Sequence, residues 1–158
     1  MPKTLVAYFS AQGNTKQVAE TLAQVLSAAL YEIKAMRPYT AADLNWQDAK
    51  SRTSVEMHDP ASRPELADTD APVNNYERIF LGFPIWWYVA PTIINTFLES
   101  YTWTGKTIIL FATSGGSGFG KALENLQKSA PGAQIYEGQI FKRTVTANEL
   151  ASFAKKFD

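Results

Sequence analysis

Six residues near the start of the chain, Ser10-Ala11-Gln12-Gly13-Asn14-Thr15, combine two hydroxyls, two side-chain amides and a glycine, with no lysine or arginine. They follow a β-branched and aromatic run, Lys3 to Phe9, and lead into a helical pattern. A strand that passes through such a loop into a helix aims backbone N–H groups and hydroxyls at one place, the positive end of the helix dipole. A phosphate fits there, held by dipoles and hydrogen bonds rather than by a cation. The same residues also serve a simpler end, since Asn14 or Thr15 would cap the helix in any case. The loop is not a Walker sequence, which needs Gly, four residues, Gly-Lys and a hydroxyl, and its single glycine is too few for a dinucleotide fingerprint.

Two further segments carry chemical character. Pro84-Ile85-Trp86-Trp87-Tyr88 gathers two indoles and a phenol, either as core packing or as a platform for a flat ring. Thr113-Ser114-Gly115-Gly116-Ser117-Gly118-Phe119-Gly120 holds four glycines, which let a backbone approach a ligand closely or simply give flexible linkage. Other candidates are weaker. His58 is the one histidine, flanked by Glu56 and Asp59, and a metal site needs more ligands at suitable spacing, so it reads as a solvated loop histidine. Ser10 and Ser114 lack His and Asp partners for a hydrolase triad. Trp46 and Trp103 are single aromatics expected to pack.

The elements around these loops follow from periodicity. Thr4 to Phe9 is a near-continuous apolar strand, as in a parallel sheet covered on both faces. Thr15 to Leu30 places Val18, Leu22, Val25, Leu26 and Ala29 on one helical stripe. Tyr31 to Met36 alternates as a short strand. Arg78 to Phe83 is a strand ended by Pro84, and Pro91 to Tyr101 a helix with Pro91 in its first turn. Lys106 to Ala112 is a buried strand, Lys121 to Ser129 a helix, Gln134 to Lys142 the last strand, and Thr146 to Phe157 the last helix, with Thr146 as N-cap ahead of Glu149. Pro38 to Glu77 differs: it carries Pro38, Pro60, Pro64 and Pro72, eight of the fifteen acids and three basic residues. A structureless loop of that length is unusual, so one or two short helices are expected inside it, such as Ala41 to Ser51.

Strand and helix alternate five times, which implies an α/β three-layer sandwich, a five-stranded parallel sheet between two layers of helices. All 158 residues form one domain on this reading, with the acidic, Pro-containing insert at about 38–77. Ligands in such sheets sit beyond the carboxyl ends of the strands, where the strand order reverses. The three loops singled out all lie at that edge.

Composition narrows the function. Fifteen basic and fifteen acidic residues cancel, so no global field favours nucleic acid or a membrane surface. The absence of cysteine removes disulfides, thiolate catalysis and cysteine-ligated metals. Met1-Pro2-Lys3 leads straight into a strand-like run with no cleavable leader, and no apolar stretch spans a bilayer, so a cytoplasmic location is expected. A phospho-receiver would need carboxylates where strand one ends Phe9-Ser10 and strand three ends Phe83-Pro84.

Taken together, Ser10-Ala11-Gln12-Gly13-Asn14-Thr15, Leu81 to Trp87 and Thr113 to Gly120 resemble the phosphate loop and the two ring-flanking loops of short-chain flavodoxin-like proteins, in order and over nearly the whole chain. The resemblance implies the flavodoxin-like strand order 2-1-3-4-5 and noncovalent FMN. On it, Ser10, Gln12, Gly13, Asn14 and Thr15 would hold the phosphate. Pro84, Ile85, Trp86 and Trp87 would line one side of the isoalloxazine. Thr113, Ser114, Gly115, Gly116 and Gly118 would offer amides to the ring's polar edge and the ribityl chain. The implied role is electron transport through the flavin, with no acid–base residue required. The alternatives are an NAD(P)H-dependent FMN oxidoreductase reducing a quinone, a flavin or another small acceptor, and a non-redox binding module. Expected partners are accordingly a redox protein, or NAD(P)H with a small acceptor, the chain itself being a monomer or weak homodimer. Two departures stand out: typical flavodoxins are strongly acidic where this chain is neutral, and the Pro84 to Tyr88 loop has no glycine.

Overall fold

The computed structural model describes residues 3–158; Met1 and Pro2, on which the reading of the chain's start partly rests, lie outside the described residues. Five strands, β1 (Thr4–Tyr8), β2 (Ala29–Glu32), β3 (Arg78–Pro84), β4 (Thr107–Thr113) and β5 (Gln134–Phe141), form one parallel sheet in the order β2-β1-β3-β4-β5. The three central strands are apolar between their end residues because both of their faces are covered. Along β1, Leu5 and Ala7 enter one core and Val6 and Tyr8 the other, the period of two that a pleated strand imposes. Helices α1 (Asn14–Leu26) and α5 (Ala147–Lys155) close one face through Val18, Leu22, Leu150 and Phe153. Helices α3 (Thr92–Glu99) and α4 (Ala122–Ser129) close the other, joined there by Ala71 and Val73 of the insert. No helix among the described residues is long and apolar enough to cross a membrane.

Boundaries differ from the sequence expectation where a single backbone event decides them. Helix α1 stops at Leu26 rather than Leu30, because Ser27 turns left-handed at φ 51° and the Ala28 N–H reaches back to the Ala23 carbonyl at 2.9 Å. Ala29 and Leu30 are thereby released into β2, which begins two residues early and ends at Glu32. Beyond it, Ala35 makes one antiparallel bridge to Leu66, where the insert returns past the sheet edge. Strand β3 runs through Pro84, and the Ile85 N–H still pairs with the Thr113 carbonyl at 2.9 Å. Strand β5 carries a bulge: Leu110 faces Glu137 and Phe111 faces Gln139. The residue passed over is Gly138, where a Cβ would lie 2.0 Å from the Leu110 carbonyl oxygen.

The insert holds one short helix, α2 (Arg52–Met57), and a 3-10 turn at Val73–Asn75. The helix expected over Ala41 to Ser51 is absent; that stretch is a series of turns. Side chains there bind the backbone instead. Thr40 and Asp43 exchange hydrogen bonds at 3.0 and 3.1 Å, Asn45 Oδ1 accepts from Gln47 N–H, and Asp48 Oδ1 accepts from Lys50 N–H. Such short-range bonds compete with helix formation. Much of the insert's acidity goes into building these turns. Tyr31 likewise donates to Asp68 at 2.5 Å, which, with the Asp70 amide, holds the Asp68 carboxyl below its ordinary range.

Candidate cofactor site

The crevice at the switch point starts where β1 ends. Ser10 Oγ accepts the Gly13 N–H at 3.0 Å and folds the loop back on itself. Gly13 then opens α1, and no side chain caps that helix. Helices α3 and α4 likewise start without a side-chain cap, whereas α2 is capped by Ser51 and α5 by a Thr146–Glu149 capping box. The 13-residue helix therefore leaves its first-turn amides and its positive end without a side-chain acceptor, facing a crevice lined by Gln12 and Asn14. Thr15 sits below, 1% exposed, its Oγ1 sharing a hydrogen bond with Thr113 Oγ1 at 2.7 Å. That pair stitches the first loop to the third across the sheet. Thr15→Val leaves the buried Thr113 hydroxyl unpaired and is expected to lower apoprotein stability by about 1–3 kcal/mol in urea unfolding. Thr113→Val added to it should then cost little more.

After β3 the chain makes a two-residue hairpin. Trp86 N–H bonds the Val89 carbonyl at 3.0 Å and Val89 N–H bonds the Trp86 carbonyl at 3.1 Å. Trp87 and Tyr88 occupy the turn at φ 50° and 64°. Positive φ at both positions is the mark of a type I′ turn, which ordinarily takes Asn-Gly. Two aromatic residues held there store strain, the kind that gathers at functional sites. The turn separates the two indoles. Trp86 stands edge-on to Phe9 and Tyr39, with ring centroids 5.8 and 5.6 Å away, so it is as much core as wall. Among the described residues the ring that Trp87 meets is the His58 imidazole, at 5.8 Å. His58 ends α2 with Nδ1 2.6 Å from the Ser54 carbonyl, exposed as the sequence suggests but in contact with the crevice wall.

After β4 the glycine loop lies open. Ser114 Oγ accepts the Gly116 N–H at 3.1 Å. A Cβ placed on Gly115, Gly116 or Gly118 would meet nothing within 4 Å, so free space lies over this backbone. Gly120 is the opposite case. At φ 54° it lies against the hairpin, where a Cβ would be 2.3 Å from the Tyr88 carbonyl oxygen, and the next N–H, of Lys121, bonds that oxygen at 3.2 Å.

These loops and the insert enclose a cleft of about 620 Å³. Of the residues singled out from sequence, Gln12, Asn14, Pro84, Ile85, Trp86, Trp87 and Gly115 line it. Gly13, Ser114, Gly116 and Gly118 belong to the same loops without lining that space, and Thr15 and Thr113 form the buried floor. Ser10 lines a neighbouring pocket of about 400 Å³ beside Tyr39. The wall also contains Ala11, Tyr88, Ser117 and three residues of the insert, Leu44, Trp46 and Thr53. Trp103 packs as expected, 1% exposed with Nε1–H on the Leu98 carbonyl at 2.7 Å. Trp46 does not: it is 68% exposed on the cleft. Its polar neighbours Asn45, Gln47 and Asp48 were the available signal, since an indole in such company has no core to join. Among the described residues no three His, Asp or Glu side chains are grouped to hold a metal ion.

Comparison with known proteins settles the lineage. The flavodoxin family matches residues 3–157. The chain belongs to the flavodoxin family. A protein named as a flavoprotein from Bacteroides uniformis is 45% identical over 97% of each chain, with a TM-score of 0.91. One from Bacteroides eggerthii is 41% identical over 99% of this chain and 98% of its own, with a TM-score of 0.92. A flavoprotein from Lactobacillus acidophilus, solved in complex with FMN, shares the fold at a TM-score of 0.71, with 22% identity over 98% of this chain and 99% of its own. No curated protein matches the chain.

The cofactor that goes with this flavodoxin fold is FMN, and the residues present fit it. The uncapped start of α1 suits the phosphate, the open backbone from Gly115 to Gly118 suits a ring edge rich in acceptors, and Trp86 and Trp87 supply an apolar wall.

Proposed function

We propose that the protein binds FMN noncovalently in this cleft and serves as an electron carrier. The observation that carries the reading is the convergence, on one cleft, of an uncapped helix start, an open glycine backbone and an aromatic wall. Bound FMN supplies reversible one- and two-electron transfer. The chain's own part is to hold and insulate it. The α1 amides with Ser10 and the Thr15–Thr113 pair anchor the phosphate end. Trp86, fixed by Phe9 and Tyr39, and Trp87, against His58, keep water from the ring. No acidic, basic or histidine side chain lines the cleft, so the residues there orient and set polarity rather than move protons.

FMN titration of the apoprotein should give a yellow complex with a flavin spectrum. NADH or NADPH alone should reduce it slowly and a reductase protein rapidly. A colourless protein that ignores added FMN would overturn the cofactor reading; rapid direct turnover with nicotinamide and a quinone would overturn the carrier role.

A further inference from the structure

The insert adds to the cleft a wall that a phosphate loop, an aromatic hairpin and a glycine loop do not require. Its most prominent member is Trp46, which makes no hydrogen bond and no ring contact among the described residues and is 68% exposed. Its exposure is not a matter of a slack loop. The turn before it is closed by the reciprocal Thr40–Asp43 bonds, and the turn after it by Asn45 and Asp48 on backbone amides. The segment is then pinned to α2, since both the Thr53 N–H, at 3.1 Å, and the Thr53 hydroxyl, at 2.8 Å, bond the Asp43 carbonyl. A turn closed on both sides thus places at the cleft wall a bare indole whose Nε1–H is unspent. Tyr88, 65% exposed on its strained hairpin turn, faces the same space.

We propose that Trp46, Leu44 and Tyr88 form an outer subsite for a flat, uncharged aromatic molecule bearing a carbonyl acceptor, next to the FMN position and resting on the reading that FMN occupies the inner cleft. Flatness follows from the exposed Trp46 and Tyr88 rings, either of which gains by stacking on a flat ring. Neutrality follows from the lining, which holds no Lys, Arg, His, Asp or Glu to pair with a charge. The carbonyl follows from the donor left unpaired on that wall, the Trp46 indole N–H.

The test uses the oxidised, FMN-loaded protein and two probes of the same ring system, 1,4-naphthoquinone and its 2-sulfonate, in equilibrium dialysis. FMN affinity is measured first for the wild type, Trp46→Ala and Trp46→Phe. The neutral probe should bind the loaded wild type more tightly than the sulfonate does, by about threefold or more. Trp46→Ala should weaken the neutral probe by about tenfold while FMN affinity moves by less than about threefold; Trp46→Phe, which keeps a flat face, should stay near wild type. A wild type that takes up no FMN sinks the cofactor reading, and this subsite with it, at the first step. A loaded protein that binds no neutral probe, binds the sulfonate equally well, or loses FMN as fast as probe in Trp46→Ala overturns the subsite alone.

Discussion

Gly120→Ala is expected to lower stability by about 2–3 kcal/mol and FMN affinity by about ten- to a hundredfold. Two costs combine. An alanine at φ 54° pays the left-handed penalty of about 1–2 kcal/mol. Its methyl must also displace the Tyr88 carbonyl, 2.3 Å away, and with it the bond from Lys121 N–H. That carbonyl cannot move alone. Tyr88 occupies one of two positive-φ positions in a hairpin closed by the Trp86–Val89 pair, so pushing it tilts the segment that carries both indoles. Because the glycine loop and the hairpin bound the same cleft, a local clash becomes a change in its width. Gly118→Ala is the matched comparison, since its Cβ meets no neighbour and its φ is ordinary; it should leave apoprotein stability within about 0.5 kcal/mol. Urea unfolding of the apoproteins and fluorescence titration with FMN read both quantities. Wild-type affinity in Gly120→Ala would mean that this contact does not set the cleft.

The contrast between these two glycines also marks how far the sequence could be read. Strands buried on both faces announce themselves as unbroken apolar runs, which is why β1, β3 and β4 were legible. So were the loops at their tips, where hydroxyls, glycines and Pro84 interrupt those runs. What periodicity does not encode is a choice made by one backbone torsion. Ser27 ends α1 early although the apolar stripe continues to Ala29. Trp87 and Tyr88 adopt positive φ although neither is glycine, and that choice sets Trp86 between core and cleft and Trp87 on the cleft, a difference invisible in two identical adjacent letters. The insert was legible only as polar and acidic. Its use of those groups in short-range turns, and the bare indole those turns present, depends on partners two or three residues away competing with a helix.

Arg52→Ala is the second large effect, expected at about 3 kcal/mol. The Arg52 side chain is 9% exposed and lies with its guanidinium 3.8 Å from the centre of the Tyr39 ring. Its Nε donates to Glu56 Oε2 at 2.9 Å and its Nη1 to the Arg37 carbonyl at 2.6 Å, while Tyr39 donates its hydroxyl to Glu56 Oε1 at 2.5 Å. Burial, with that bond to Glu56, pushes the Tyr39 hydroxyl's ionisation well upward, so it remains a donor across the physiological range. Removing the cation strands a carboxylate that is 14% exposed and takes away the face on which Tyr39 rests. Tyr39 in turn packs on Trp86, and α2 begins at Arg52 and holds the turn that carries Trp46, so the loss reaches the cleft from two directions. Limited proteolysis should show new cleavage around α2 and the turns before it, ahead of the rest of the chain, since that part of the insert is held by side-chain bonds rather than by sheet pairing. Neutralising Arg52 and Glu56 together, as Arg52→Met with Glu56→Gln, keeps an acceptor for Tyr39 and leaves without its cation only the more exposed Asp43, 3.9 Å from Arg52 Nη1, and should restore more than half of the lost stability. If the single and double variants unfold at the same urea concentration, packing against Tyr39 rather than charge pairing anchors the insert.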